Sequence, residues 1–568
     1  MDVLSSYIIS ASGYLLPVLA LWLLVRCVRS MLREKYEPEM WAYFEAKGGE
    51  RAVIKHWESL IGSAKTSDII INREKVAKTQ AALIRDADGD WVIYDLAPND
   101  GLISVSSQTD CGEGIRISDG DKLDVAGASM TFHTLSTKQR AAVEKKRTSP
   151  GFFVSPAVTL FILTVFQAVL TLQFSVSSTR EDSLNIALAF LALAIIQWVY
   201  FLIMRAINYS GFETEFLAFF LSTLGLAVVA TSDPETLLKQ LIMLLAGLAI
   251  FIFIGFWLRD LKRAKAARWP MAVFAIAFLA LNILAGDTIN GQKNWLSFGG
   301  FSLQPSEFVK VAYVYVGAAT LDRLFRGRNL FMFIGFSALC VGSLALMGDF
   351  GTALIFFATF LVISFLRSGN LATVILAVSA AAIAGFLVLT VKPYALDRFS
   401  TWRHIWEVPY DAGFQQTRAL SAAASGGLFG VGAGDGWLHS IFAADTDMVF
   451  CLVCEELGLI VAICAVMAII VLGLFAVRGA AQGRSSFFVI LACAGASMMM
   501  FQMALNVFGS VDLLPFTGVT FPFVSKGGSS LICCWGLLAF IKAADTRQNA
   551  SFSVRRGSKR SRSEGDSI

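Results

Sequence analysis

The sequence predicts an all-α polytopic membrane protein of about 13 transmembrane helices, with a small all-β sandwich near the N-terminus. Three observations carry this. The 568 residues are 56% hydrophobic and only 16% charged, where a soluble domain is about 45–50% apolar and about 25% charged. Apolar runs near the ~20 residues needed to cross a bilayer recur along the chain. One polar section, about 31–150, interrupts them and reads as short strands separated by Asp, Gly and Asn turns.

The first apolar run, Tyr7–Val25, has an acidic start at Asp2 and its basic residues, Arg26 and Arg29, afterwards. That order holds the second end in the cytoplasm and sends the N-terminus out, so residues 1–30 read as an anchor helix and not a cleavable signal. Further runs lie at 152–174, 184–206, 214–232, 237–258, 270–287, 305–322, 330–347, 351–367, 371–392, 447–476, 486–508 and 526–543. With thirteen spans, Arg and Lys gather in alternate loops, among them Lys138–Arg147, Arg259–Arg268 and Arg323–Arg328, and in the tail from Arg555. The positive-inside rule assigns those loops to the cytoplasm. The exception is the long external segment Lys392–Asp447, with Lys392, Arg398, Arg403 and Arg418. It reads either as an ordinary solvated loop or as a basic surface for an anionic ligand.

Within the polar section, the stretch from Val53 to His133 has the order of strands and turns of a forkhead-associated (FHA) domain, which it resembles. The family's phosphothreonine-reading groups do not match. Its Gly-Arg is Gly62-Ser63 here, its Ser-x-x-His is Ala77-Lys78-Thr79-Gln80, and its Asn-Gly is Asp100-Gly101. A phosphate needs an Arg and a hydroxyl for charge-assisted hydrogen bonds. The resemblance therefore implies a degenerate module that docks a cytoplasmic protein partner.

From about 214 onward, five motifs appear in order: "NGQKNWLSFGGFSLQPSEFVKVA" (290–312), "GDFGT" (348–352), "AGFQQTRALSAAASGGLFGVG" (412–432), "DTDMVFCLVCEELG" (445–458) and "LLPFTGVTFPFVSKGGSSLI" (513–532). Together they resemble the SEDS family of RodA/FtsW/SpoVE-type cell-wall polymerases. The resemblance implies a ten-helix core over 213–545, preceded by the anchor, the FHA-like section with its basic linker (31–150) and two additional spans (151–212). A basic, disordered cytoplasmic tail, 546–568, follows. It also implies residence in the bacterial cytoplasmic membrane, with the FHA-like section inside and the catalytic site on the external face.

The implied activity is that of a peptidoglycan glycosyltransferase in cell elongation or division. Lipid II is polymerised into glycan strands by an inverting transfer that releases undecaprenyl pyrophosphate. A class B penicillin-binding protein, the transpeptidase, is the implied membrane partner; nucleic acid is not a partner. The reaction needs a base for the acceptor hydroxyl and positive charge, or a metal, where pyrophosphate leaves. The family's catalytic aspartate falls on Asp447, with Asp445 where the family has histidine. Two neighbouring carboxylates repel and tend to raise one pKa. Asp447 also reads as a helix N-cap, a role compatible with catalysis.

Substrate-binding residues implied by the motifs are Glu307, Lys310, Asp349, Arg398, Gln415, Arg418, Glu455, Glu456, Ser525, Gly527 and Gly528. Several have a plainer reading. Glu307 and Lys310, three apart, form a structural ion pair, and Asp349 caps a span. Glu455 and Glu456 support the cavity as buried polar groups. The glycines of "SGG" (425–427) and "SKGGSS" (525–530) serve close helix approach. Arg418 replaces a glutamine, and Asn294 an arginine.

No metal-ligand motif is present, so no cofactor is required by the sequence. A divalent cation (Mg or Mn) between pyrophosphate and carboxylates stays open. The nine cysteines, mostly in apolar segments and including the Cys451/Cys454 pair, indicate packing and no disulfide framework. A lipid II flippase or transporter, or a non-catalytic division scaffold, are the competing readings. The charged set gathers near one face, which favours surface chemistry over transport.

Overall fold

The computed structural model describes residues 3–33, 39–143, 154–391 and 399–551, apart from short stretches inside the last three of these. A helix lies on each of the thirteen apolar segments. They are α1 (Val3–Arg33), α2 (Pro156–Ser177), α3 (Arg180–Ala206), α4 (Glu213–Ser232), α5 (Leu237–Trp257), the short α6 (Leu261–Ala266), α7 (Arg268–Ala285) and α8 (Pro305–Leu321). Then come α9 (Gly327–Leu346), α10 (Phe350–Ser368), α11 (Leu371–Val391), α12 (Phe414–Gly426), α13 (Val449–Leu457), α14 (Leu459–Ala480), α15 (Ser486–Ser510) and α16 (Gly528–Ala543). Among the described residues, ten helices are long and apolar enough to cross a membrane. α8, at 17 residues, and α16, at 16, fall short of a full span. Both are buried along nearly their whole length, so neighbouring helices and not lipid surround them.

The apolar run 447–476 was expected as one span and is two helices. Gly458 breaks it at φ +89°, and a Cβ there would stand 2.4 Å from the Leu428 carbonyl oxygen. At Gly426, the end of α12, a Cβ would come within 2.1 Å of the Cys454 carbonyl oxygen. Only glycine lets α12 and α13 approach this closely, so Gly426 of "SGG" serves backbone packing, while Gly427 takes a left-handed turn at φ +55° with open space around it.

The FHA-like section folds as the expected sandwich. Strands β1 (Ala42–Ala46), β2 (Arg51–Ile54), β3 (Glu58–Gly62), β4 (Ile69–Ile70), β5 (Ala81–Arg85), β6 (Trp91–Asp95), β7 (Ile103–Val105), β8 (Thr109–Asp110), β9 (Ile115–Ile117), β10 (Lys122–Val125) and β11 (Ala128–Thr134) form two sheets. Their orders are β2-β1-β11-β10-β7 and β4-β3-β5-β6-β9-β8. Phe44 and Phe132, opposite each other in the β1–β11 register, fill the core between them with Leu83, Ile93 and Leu123.

The sandwich seats on the connection between α14 and α15. Arg484 donates to both carboxylate oxygens of Glu39, at 2.6 and 2.8 Å, a bidentate pair almost closed to solvent. The Trp57 amide donates to the Arg484 carbonyl at 2.7 Å. Glu58 accepts from Ser485 Oγ, at 3.0 Å, and from the amide and hydroxyl of Ser486. A carboxylate thus satisfies one orphan donor at the start of α15, the Ser486 amide, and suits its dipole.

A buried ionic cluster closes the same end of the bundle. Arg547 donates to Glu213 at 2.9 Å and to Asp545 at 2.7 Å, and Lys542 stands 3.4 Å from Glu215. Arg547, assigned by the sequence to a disordered tail, is therefore fixed to the start of α4; residues 552–568 lie outside the described ones.

Candidate active site

A cavity of about 710 Å³ opens at the end of the bundle opposite the sandwich. It is walled by α8, the start of α10, the start of α12, the segment 442–447 and the loop 516–530. This volume lies within the range of ligand pockets, roughly 300–1,000 Å³.

Asp447 is on the wall, in the turn before α13. The N-cap position of α13 falls on Met448 and makes no side-chain cap, so capping does not describe Asp447. Its backbone is held from two sides. Asn506 on α15 donates to the Asp447 carbonyl at 3.0 Å, and the Asp447 amide donates to the Ala443 carbonyl at 2.9 Å. Gly518, at φ +65°, passes so close that a Cβ there would lie 3.2 Å from an Asp447 carboxylate oxygen.

Asp445 is not among the described residues that line the cavity. Its side chain meets the Lys526 ammonium at 3.1 Å, and the same ammonium lies 3.0 Å from Asp233. The expected repulsion between Asp445 and Asp447 is thus answered by a cation the sequence reading passed over. Burial alone would raise the Asp233 pKa, but the Lys526 hydrogen bond and charge hold it below the usual carboxylate range. Burial would lower that of Lys526, and the two carboxylates raise it instead.

Glu307 and Lys310 pair at 2.7 Å on the cavity wall, both almost fully buried. Lys310 also donates to Gln502 Oε1 at 3.1 Å. Gln502 in turn donates to Thr520 at 2.8 Å, and Thr520 stands 3.3 Å from Ser530. A polar string so crosses from α8 through α15 to the start of α16. Asp349 caps α10, accepting from the Thr352 amide at 3.0 Å. Its other oxygen, buried beside the cavity, has no hydrogen-bond partner among the described residues.

Of the remaining expected residues, Gln415 and Gly527 line the cavity, and Gln415 donates to the Phe442 carbonyl at 2.9 Å. Ser525 sits behind the wall, donating to the Thr446 carbonyl at 2.6 Å and accepting from the Phe521 amide at 2.7 Å. Gly528 packs against Met243. Arg418 lies over the Phe414 ring outside the wall. Glu455 accepts from the amides of Trp437, at 2.9 Å, and Leu438, at 3.0 Å, anchoring a loop and not a ligand. Glu456 accepts from Thr231 at 2.8 Å. Arg398 lies outside the described residues.

The residues missed by sequence reasoning are Gln502, Asn506, Thr520 and Lys526. The first two sit inside an apolar helix, where a lone amide reads as a packing contact. Lys526 was hidden inside a glycine-serine run.

The family profile of the FtsW/RodA/SpoVE type, described as cell cycle proteins, matches residues 226–550. The chain is 30% identical over 328 residues to the peptidoglycan glycosyltransferase RodA of Mycobacterium leprae, covering 53% of this chain and 68% of that one. It is 31% identical over 344 residues to a probable peptidoglycan glycosyltransferase FtsW of Aeromonas salmonicida, covering 56% and 85%. A solved structure described as the structural coordination of polymerization and crosslinking by a peptidoglycan synthase complex is similar at 25% identity. That match covers 59% of this chain and 96% of the other, with a TM-score of 0.50. With more than half of its length matched, the chain belongs to the FtsW/RodA/SpoVE family.

Proposed function

We propose that the protein is a peptidoglycan glycosyltransferase that polymerises lipid II at the outer face of the cytoplasmic membrane. The observation that carries this is Asp447, held by its backbone on the wall of a polar cavity at the end of the bundle away from the sandwich. The sandwich end bears Arg259, Lys262, Arg263, Lys265 and Arg268, which supports a cytoplasmic sandwich and an external cavity.

Asp447 serves as general base. It takes the proton of the acceptor's 4-hydroxyl as that oxygen attacks the donor's anomeric carbon. The bond from that carbon to the pyrophosphate oxygen breaks, the configuration inverts, and undecaprenyl pyrophosphate leaves. Lys310, matched by Glu307, sets the field of the cavity without adding net charge.

Among the described residues, no three His, Cys, Asp or Glu side chains gather to hold a metal ion. A divalent cation, Mg or Mn, would supply positive charge where the pyrophosphate leaves, with Asp447 the carboxylate on the wall that could meet it. The solved relative's complex couples polymerization to crosslinking, which supports a class B penicillin-binding protein as partner. The sandwich supplies a face for a cytoplasmic protein.

Purified protein with labelled lipid II tests the reading, with and without Asp447→Ala. Glycan chains that vanish with the substitution support it. Transbilayer movement without polymer would identify a flippase, and neither activity would leave a scaffold.

A further inference from the structure

The described cavity wall carries two lysines, and they are built differently. Lys310 is sealed, its side chain 2% exposed and committed to Glu307 and Gln502. Lys526 is 30% exposed and clamped by two carboxylates from separate parts of the chain, Asp233 between α4 and α5 and Asp445 ahead of Asp447. Its own amide also donates to the Asp445 carbonyl at 2.9 Å. Lysine is ordinarily a flexible point charge on a four-carbon stem; here the clamp fixes the nitrogen on the wall.

An ammonium has three N–H donors. Two are taken by Asp233 and Asp445, which leaves one for an acceptor in the cavity. We propose that Lys526 is a further substrate-positioning residue, donating to a diphosphate oxygen of the lipid-linked donor. This rests on the polymerase reading above. An anionic acceptor suits it better than a sugar hydroxyl, because a charge-assisted bond is the stronger one. Lys239, whose charge acts on Asp233, offsets the second carboxylate of the clamp.

The test uses the purified full-length protein and initial polymerisation rates against labelled lipid II concentration. Lys526→Met is expected to raise KM on the order of tenfold, the effect of one charge-assisted hydrogen bond, with a smaller change in kcat. Inhibition by inorganic pyrophosphate weakens in parallel. The double variant Asp445→Lys with Lys526→Asp keeps opposite charges across that contact but takes the cation away from position 526. It is expected to lose some thermal stability, because a second carboxylate then faces Asp233, and to remain impaired in KM. Wild-type KM and pyrophosphate inhibition in Lys526→Met, or wild-type KM in the double variant, overturn the proposal.

One measurement needs no variant: inorganic pyrophosphate should protect Lys526 from acylation by acetic anhydride, read by mass spectrometry, and equal labelling with and without it counts against the role. A wild-type protein that makes no polymer would defeat the polymerase reading itself. Failure of the lysine's role alone leaves wild-type polymer intact.

Discussion

The side-chain amide of Asn506 donates to two carbonyls at once, those of Asp447 at 3.0 Å and Val519 at 2.7 Å. One buried group on α15 thereby joins the segment carrying the proposed base to the loop that faces it. Removing it strands two buried acceptors, which costs about 1–3 kcal/mol. Asn506→Ala should lower the thermal midpoint in detergent and reduce polymerisation at least tenfold. Unaltered kcat in a folded variant would show that this link does not position Asp447.

Gly518 faces the Asp447 carboxylate at φ +65°. Alanine there adds a left-handed backbone cost of about 1–2 kcal/mol and a methyl group in contact with the carboxylate. Gly518→Ala is expected to lower kcat more than it raises KM, since the base is displaced and not the donor. Steady-state rates with labelled lipid II decide this.

Glu307 and Lys310 form a buried pair, so the loss of either leaves an uncompensated charge. Breaking such a pair costs about 3–5 kcal/mol. Glu307→Gln and Lys310→Met should each destabilise the protein strongly, while the double substitution should recover much of the loss. Thermal midpoints around the double-mutant cycle provide the measurement; additive losses would exclude direct pairing.

Asp545, just beyond α16, is fully enclosed. Burial would raise its pKa, but the charges of Arg547 and Lys542 and the Arg547 hydrogen bonds outweigh that and lower it from 3.8 to about 2. A depressed carboxylate contributes stability above its unfolded pKa and loses it as pH falls through the folded one. Thermal stability should therefore decline between roughly pH 4 and pH 2, and Asp545→Asn should flatten that part of the profile. An Asn variant with the same acid slope would assign the loss to other carboxylates.

Much of the architecture was written in local pattern. Apolar runs marked each membrane helix, and Asp/Gly turns marked the sandwich, because both signals depend on spacing within a few residues. The break at Gly458 was not legible, since the apolar run continues through it and only the nearby Leu428 and Phe429 backbone demands glycine. The cavity wall divided the same way. Asp447, Glu307 and Asp349 stand at the ends of apolar segments, where a charge needs a reason. Gln502 and Asn506 look like any polar residue in a helix until Lys310 and the Asp447 carbonyl arrive from elsewhere in the chain. The Lys526–Asp233 contact spans 293 positions, a distance no periodicity reports.

α15 has 25 residues and is about 37 Å long at 1.5 Å per residue. Its first turn is gripped by Glu58 of the sandwich, and its last turns hold the proposed base and the loop across from it. A stiff rod fixed at both tips cannot tilt or slide at one without moving the other. Whatever leans on the β-sandwich is therefore felt, through a single strut, at the wall that carries Asp447.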